Sequence, residues 1–242
     1  MPPSIARGCA ALVLVLVLSP APARSWGWEA VRGDGSVAVR KRDLPAFHAV
    51  RVEGSLDVTV KVGPPRSVTV EIDENLQALL STRVRDDTLV ISTEGSIRPS
   101  GRAGVEVTVP ELRRLQLVGS GDVAVEGGAG ALDLEVRGSG DLRWQGEVST
   151  LQAAVGGSGN AHLQGHAALL RAEVKGSGDI DASRLEAVDV EARVKGSGDI
   201  ELKVAGGKLS AEVDGSGDIR WRGTAASERV AVHGSGGVSR RD

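Results

Sequence analysis

Five aspartates recur at one position of a repeated tetrapeptide, and that spacing is the first feature that could do chemistry. Asp122, Asp141, Asp179, Asp199 and Asp218 each close a Gly-Ser-Gly-Asp unit, with Asn160 in the same place in one further copy and Gly237 in the last. The seven copies begin at Gly119, Gly138, Gly157, Gly176, Gly196, Gly215 and Gly234, so every step is 19 residues except one of 20. If the copies stack, these side chains line one edge about 4.8 Å apart. Carboxylates so close repel, and Ca2+ between neighbours would relieve the repulsion. The plainer reading is that each Asp accepts hydrogen bonds from the amides of its own corner, which Asn160 would do equally well. On that reading no metal is assigned, and the five aspartates stand as the Ca2+ candidates to be tested.

Other chemistry finds less footing. His48, His162, His166 and His233 are scattered, no base or cleft carboxylate pair accompanies them, and the only cysteine, Cys9, lies in the N-terminal segment. Gly-Ser-Gly-Asp has neither a following helix nor a P-loop lysine, so no nucleotide site and no cofactor is implied. Trp144 and Trp221 invite a sugar-stacking role, but they share a column with Val125, Leu163, Ala182 and Leu202, which marks them as core. Arg32-Gly33-Asp34 matches a tripeptide that integrins recognise, and a polar turn before a strand explains it more simply. The expectation is a protein without enzymatic activity.

The elements that must position these residues follow from the same period. Six, four and two residues before each leading glycine the chain is aliphatic, as in Leu132, Leu134, Val136 and Val190, Ala192, Val194. Polar residues stand between them, and the alternation resumes after the corner in Leu142 and Trp144 or Ile200 and Leu202. Strict alternation means strands with one buried face. Each unit is then strand, glycine corner, strand and a looser return such as Gly146 to Thr150. One unit cannot bury its apolar face alone, whereas stacked units place like residues in columns. The fold class is all-β: a parallel β-helix or solenoid with coils of about 19 residues, favoured over a barrel of hairpins by its regular columns. The structural corners are Gly119, Gly121, Gly138, Gly140, Gly157, Gly159, Gly176, Gly178, Gly196, Gly198, Gly215 and Gly217.

Residues 1–24 read as a signal peptide, with Arg7, an apolar run from Ala10 to Leu18 and then Ala21-Pro22-Ala23. The run is too short for a membrane span. Its removal takes away Cys9, the only cysteine, so the mature chain is expected to lack disulfides despite an exported address in the periplasm, at the cell surface or beyond. A net charge of −3 gives no support for nucleic acid as a partner. Residues 25–46 read as a lead-in strand with Trp26 and Trp28, which lie outside the columns and are expected to be exposed.

Residues 47–110 are β in pattern but lack the period. Gly54-Ser55-Leu56-Asp57 reads as a degenerate corner, so these strands join the stack that continues through 111–240. Leu76 to Leu80 reads as a short helical turn, and Asp86-Asp87 as a turn between strands. Ser92 to Gly104, with Gly95, Pro99 and Gly101, is the least patterned stretch and the best candidate for a contact loop, with a floppy connection as its plainer reading.

Phe47-His48-Ala49-Val50-Arg51-Val52-Glu53-Gly54-Ser55-Leu56-Asp57, then Asp73-Glu74-Asn75-Leu76, Asp87-Thr88-Leu89-Val90-Ile91 and the Gly-Ser-Gly-Asp series carry a resemblance. Residues 33–240 resemble the head GIN domain family, labelled as auto-transporter adhesins of the bacterial cell envelope. The resemblance implies a right-handed β-helix and an exported location. No lipid-facing strands follow the repeats, so a translocator barrel within this chain is not expected. The function expected is a structural or adhesin-like module that offers a rigid surface to a protein or glycan partner, with open helix ends that allow homo-oligomers. The alternative is a Ca2+-dependent or polysaccharide-acting protein with its site in the irregular region.

Overall fold

The computed structural model describes residues 30–241. The signal-like residues 1–24, Trp26 and Trp28 lie outside the described residues.

The chain enters through β1 (Val31–Arg32) and β2 (Val37–Arg42). The strand β3 (Ala49–Gly54), the corner Gly54-Ser55-Leu56-Asp57 and β4 (Asp57–Val62) then make the first parallel coil. A reversal at Gly63-Pro64-Pro65 starts β5 (Ser67–Asp73), and a 3-10 turn at Glu74–Leu76 leads to the hairpin of β6 (Leu80–Arg85) and β7 (Thr88–Thr93). Its two-residue turn carries positive φ at both Asp86 (47°) and Asp87 (67°), the geometry that matches strand twist in tight hairpins. After β8 (Ile97–Arg98) and β9 (Gly104–Val109) the regular stack begins with β10 (Arg114–Gly119), β11 (Val123–Glu126) and β12 (Ala131–Gly138). The strands β13 (Leu142–Gly157), β14 (Ala161–Gly176) and β15 (Ile180–Gly196) each run from one corner to the next. The stack closes with β16 (Ile200–Ala205), β17 (Lys208–Gly215), β18 (Ile219–Thr224), β19 (Ser227–Gly234) and β20 (Val238–Arg240).

Two ladders of strands meet along the corners. The pre-corner ladder runs β6-β7-β3-β10-β12, through the second halves of β13, β14 and β15, to β17 and β19. The post-corner ladder runs β2-β5-β9-β4-β11, through the first halves of β13 to β15, to β16, β18 and β20. Every pairing from β7 and β9 onward along the stack is parallel, and the chain is a β-solenoid of about seven turns. The columns inferred from the period are the core: Leu132, Leu151, Leu170, Val190 and Leu209 register with one another and are at most 2% exposed. Burying an aliphatic side chain of this size gains about 1.5–3 kcal/mol, and a coil obtains that only from its neighbours.

Two features depart from the expected coil. The loose return is itself a strand in the middle coils, because Val148, Ala167 and Ala187 point inward in register and make a short third face. A second corner, at Gly127, Gly146 and Gly165, turns the chain onto that face; a Cβ at Gly165 would lie 1.8 Å from the Gly146 carbonyl oxygen. The stack is also out of chain order at its start. β7 and β9 lie outside β3 and β4, so the degenerate corner at Gly54 pairs directly with Gly119, 65 residues later. The hairpins of the irregular region close this end by reversal: β6 is antiparallel to β7, and β5 to both β9 and β2.

Candidate functional site

The glycine corners explain themselves at two positions. Gly176 has φ of 140°, a conformation that side-chain-bearing residues avoid. Gly178 does not, but a Cβ there would meet the Gly159 carbonyl oxygen at 1.9 Å, so the coils stack too closely for anything larger. The carbonyl of each leading glycine accepts two amides from the next corner; Gly157 O takes Ser177 N at 2.9 Å and Gly178 N at 3.0 Å.

The aspartates do form a column, with a bonding pattern that differs from the one expected. Each Oδ1 accepts the backbone N–H of the equivalent residue one coil on, rather than an amide of its own corner. Asp57 takes Asp122 N at 3.1 Å, Asp141 takes Asn160 N at 3.1 Å, Asn160 takes Asp179 N at 3.1 Å and Asp179 takes Asp199 N at 2.7 Å. Asp122, Asp199 and Asp218 do the same, to Asp141, Asp218 and Gly237. Parallel stacking sets this direction: the corner's own amides are taken by the preceding glycine, leaving the next coil's amide within reach. Arginines occupy much of the outer side. Arg220 reaches Asp199 Oδ2 at 2.6 Å and Asp218 Oδ2 at 2.7 Å, and Arg143 lies 3.5 Å from Asp122. Burial pushes the Asp199 carboxyl up, but the Asp218 amide and Arg220 outweigh it and hold the group below the ordinary range. Among the described residues no three His, Cys, Asp or Glu side chains converge to hold a metal ion.

The single 20-residue step coincides with a hollow on the outer surface. Register slips between His162 and Gln164 against Asp181 and Arg184, so β15 bulges at Ala182 to Leu185. Bulges re-aim side chains and break a flat ladder. Here the bulge buries Leu185 and lifts Arg184 to the surface beside a hollow of about 390 Å3 on the outer post-corner face. Gln145 and Gln164 stand opposite each other in register, with Arg143, His162, Asp181 and Glu126 around them. Asp181 Oδ1 accepts Ser183 N at 2.9 Å, and its other oxygen lies 3.7 Å from His162 Nδ1. Burial raises the Asp181 carboxyl and the Ser183 and His162 contacts lower it more, so it stays ionised below its ordinary range. At Ala124 and Arg143 the hollow adjoins another of about 460 Å3, lined by Asp57, Thr59, Glu71, Arg102 and Glu106. Together they make a groove along the stacking direction. None of the groove's glutamines or arginines stood out in the sequence; the 20-residue step was the one signal pointing there. A wider hollow over the third face, about 610 Å3, is lined by Gly128, Ala129, Ala168, Val188 and Ala205 together with Glu147, Ser149, His166 and Glu186.

The irregular region converges on one buried carboxylate. Asp73 is 0% exposed and accepts Gly35 N at 2.9 Å, Ser100 N at 3.0 Å and the Ser100 hydroxyl. Its hydrogen bonds from Ser100 and then Gly35 hold the carboxyl below its ordinary range against the effect of burial. The stretch Ser92 to Gly104 occupies the corner between β7 and β9, and it is fastened there by Asp73 and by β8 pairing with β1. The Arg32-Gly33-Asp34 turn sits on the same anchor. A Cβ at Gly33 would strike the Asp73 carboxyl at 2.3 Å, and Asp34 Oδ1 accepts Ser36 N at 2.9 Å. Turn chemistry therefore accounts for the Gly and the Asp of the tripeptide. The tryptophans are core: Trp144 is 2% and Trp221 4% exposed, and Trp144 Nε1 donates to Gly127 O at 2.9 Å.

Residues 46–225 match the family described as "Putative auto-transporter adhesin, head GIN domain". The chain belongs to this family. Solved structures similar to this GIN domain include a "putative adhesin" from Bacteroides fragilis, 25% identical, with a TM-score of 0.82 over 88% of this chain and 100% of that one. A "putative lipid binding protein" from Parabacteroides distasonis is 22% identical, with a TM-score of 0.75 over 88% of this chain and 100% of that one. A "putative adhesin" from the same species is 24% identical, with a TM-score of 0.69 over the same 88% and 100%. No curated protein matches this chain. Among its described residues no helix is long and apolar enough to cross a membrane.

Proposed function

We propose that this GIN domain is a non-enzymatic, exported binding module that engages an extended glycan along its post-corner groove. One observation carries the reading: the sole break in a 19-residue period falls where the surface hollows and planar hydrogen-bonding groups collect. Paired amides at Gln145 and Gln164, with guanidinium groups at Arg143 and Arg184, suit the donor and acceptor pattern of sugar hydroxyls. Rigid strands fix the spacing of these groups, and ordering each exposed Gln or Arg side chain costs about 0.5–1.5 kcal/mol of the binding energy. The groove's length along the stack suits a polymer more than a compact metabolite. The adhesin names of the family and of a 25% identical structure are consistent with such a role at a cell surface.

Isothermal titration of the purified chain against neutral and acidic bacterial and host-type glycans tests the proposal. Binding to at least one is expected, weakened about tenfold or more when Gln145 and Gln164 are both changed to Ala. Absence of binding across the panel, or affinity untouched by the double variant, would overturn it. The alternative, a Ca2+-dependent or polysaccharide-acting site in the irregular region, has the hollow over Asp57, Glu71 and Glu106 in its favour. It predicts glycan breakdown or Ca2+-dependent affinity in the same experiments.

A further inference from the structure

The two ends of the solenoid are finished differently. At the first end β6 and β2 reverse the chain and lie antiparallel on their neighbours. At the other, β19 pairs only with β17, and β20 only with β18, and no described strand covers their outer edges. An uncovered edge leaves a row of backbone N–H and C=O groups free to pair with another strand.

The side chains on this edge are as unusual as its backbone. Val230 and Val232 register with the buried Ala211 and Val213 but are 45% and 40% exposed. Glu228 registers with Leu209, and Arg240 with Trp221, where the guanidinium lies 5.2 Å from the indole centroid. The last coil thus offers two bare valines, with a charge placed further along each inward column.

We propose that β19 pairs antiparallel with β19 of a second copy across a two-fold axis, closing the open end of both solenoids. The pairing continues a ladder that is already established, and an antiparallel partner needs no crossover connection. Head-to-tail stacking would bring Lys41 and Arg42 of β2 toward Arg240 of the last coil, while Arg40 and Arg241 are already paired with Glu74 and Glu201. Register follows from keeping inward side chains inward. Centring on Arg229 opposes two guanidinium groups, and centring on Val230 sets Glu228 against Val232. Centring on Ala231 sets Val230 against Val232 and Glu228 against Gly234, which has no side chain. The structure assigns the last register.

The test uses the purified chain with Cys9 absent or replaced by Ser. Light scattering should give twice the monomer mass, and Val230→Lys and Val232→Lys should each shift the protein to monomer while the β-sheet circular dichroism is retained. Independently, Ala231→Cys should form a disulfide-linked dimer under mild oxidation, because directly opposed residues in antiparallel strands have Cβ atoms about 4.5–5.5 Å apart. Ser177→Cys, at an exposed mid-stack corner, should not. A monomeric chain, a dimer insensitive to both lysine variants, or equal cross-linking through Ser177→Cys would overturn the proposal. So would a monomer whose edge is instead occupied by a different protein.

Discussion

At the scale of the residue, the corner aspartate acts as a backbone acceptor, with its charge as a by-product. Asn160 does the same work with an amide oxygen, taking Asp179 N at 3.1 Å. Asp179→Asn should therefore change stability by less than about 0.5 kcal/mol. Asp179→Ala, which leaves Asp199 N without its partner, should cost about 1 kcal/mol in a urea titration. The same geometry bears on Ca2+: Oδ1 is committed to an amide, and Arg143 and Arg220 crowd the outer oxygens at four of the sites. Thermal unfolding in chelator and in millimolar Ca2+ should give the same midpoint. A site present at 100 times its Kd would add about 2.7 kcal/mol, and such a shift, lost in Asp179→Ala and Asp199→Ala, would make the column a metal edge. Glycine substitutions separate the two demands of a corner. Gly178→Ala drives a methyl into the Gly159 carbonyl and should cost about 3 kcal/mol or more. Gly206→Ala, with φ of 93° but open space around it, should cost only about 1–2 kcal/mol.

At the scale of the element, the contrast is between coils and cap. The inward columns, the corner at Gly54 and the turn at Asp86-Asp87 could all be read from residue type and spacing, because each is set by neighbours within one coil or one hairpin. The order of the first coils could not. Nothing local says that β7 and β9, later in the chain than β3 and β4, lie outside them. The second corner was present in the spacing of Gly127, Gly146 and Gly165 but is masked where Leu185 and Val204 take its place. Asp73 stayed hidden among Asp73-Glu74-Asn75, which reads as a polar turn, because its burial depends on Gly33 and Ser100 arriving from distant parts of the chain. That anchor makes a pH prediction. The folded-state pKa of Asp73 is depressed below the ordinary value of 3.8, so its contribution is present at neutral pH and lost as pH falls below about 3.8. Hydrogen exchange at Gly33 to Ser36 and Ser96 to Gly101 should rise through that window before the mid-stack strands respond. Asp73→Asn should show fast exchange there already at neutral pH; a segment equally protected in both forms would mean the anchor lies elsewhere.

At the scale of the whole molecule, a solenoid is close to one-dimensional, so its stability is a sum over neighbouring coils and its weak points are its ends. The reversed hairpins at the first end satisfy the backbone without another copy. The last coil leaves its edge to a second copy, and Glu228 and Arg240 on its inward columns restrict which registers that copy can take. Removing residues 224–242 would strip that coil and make β17 and β18 the edge. Leu209, Val213 and Trp221, all at most 4% exposed, would then face solvent with no charge interrupting their columns. The remaining coils keep their own neighbours, so the truncated chain should retain its β-sheet circular dichroism and lose only a few degrees of thermal midpoint. Its solution behaviour should change far more: light scattering should show concentration-dependent association through the newly bared apolar end in place of a defined species. A truncated chain that stays monodisperse would show that association at this end is limited by the shape of the sheet and not by the charges of the last coil.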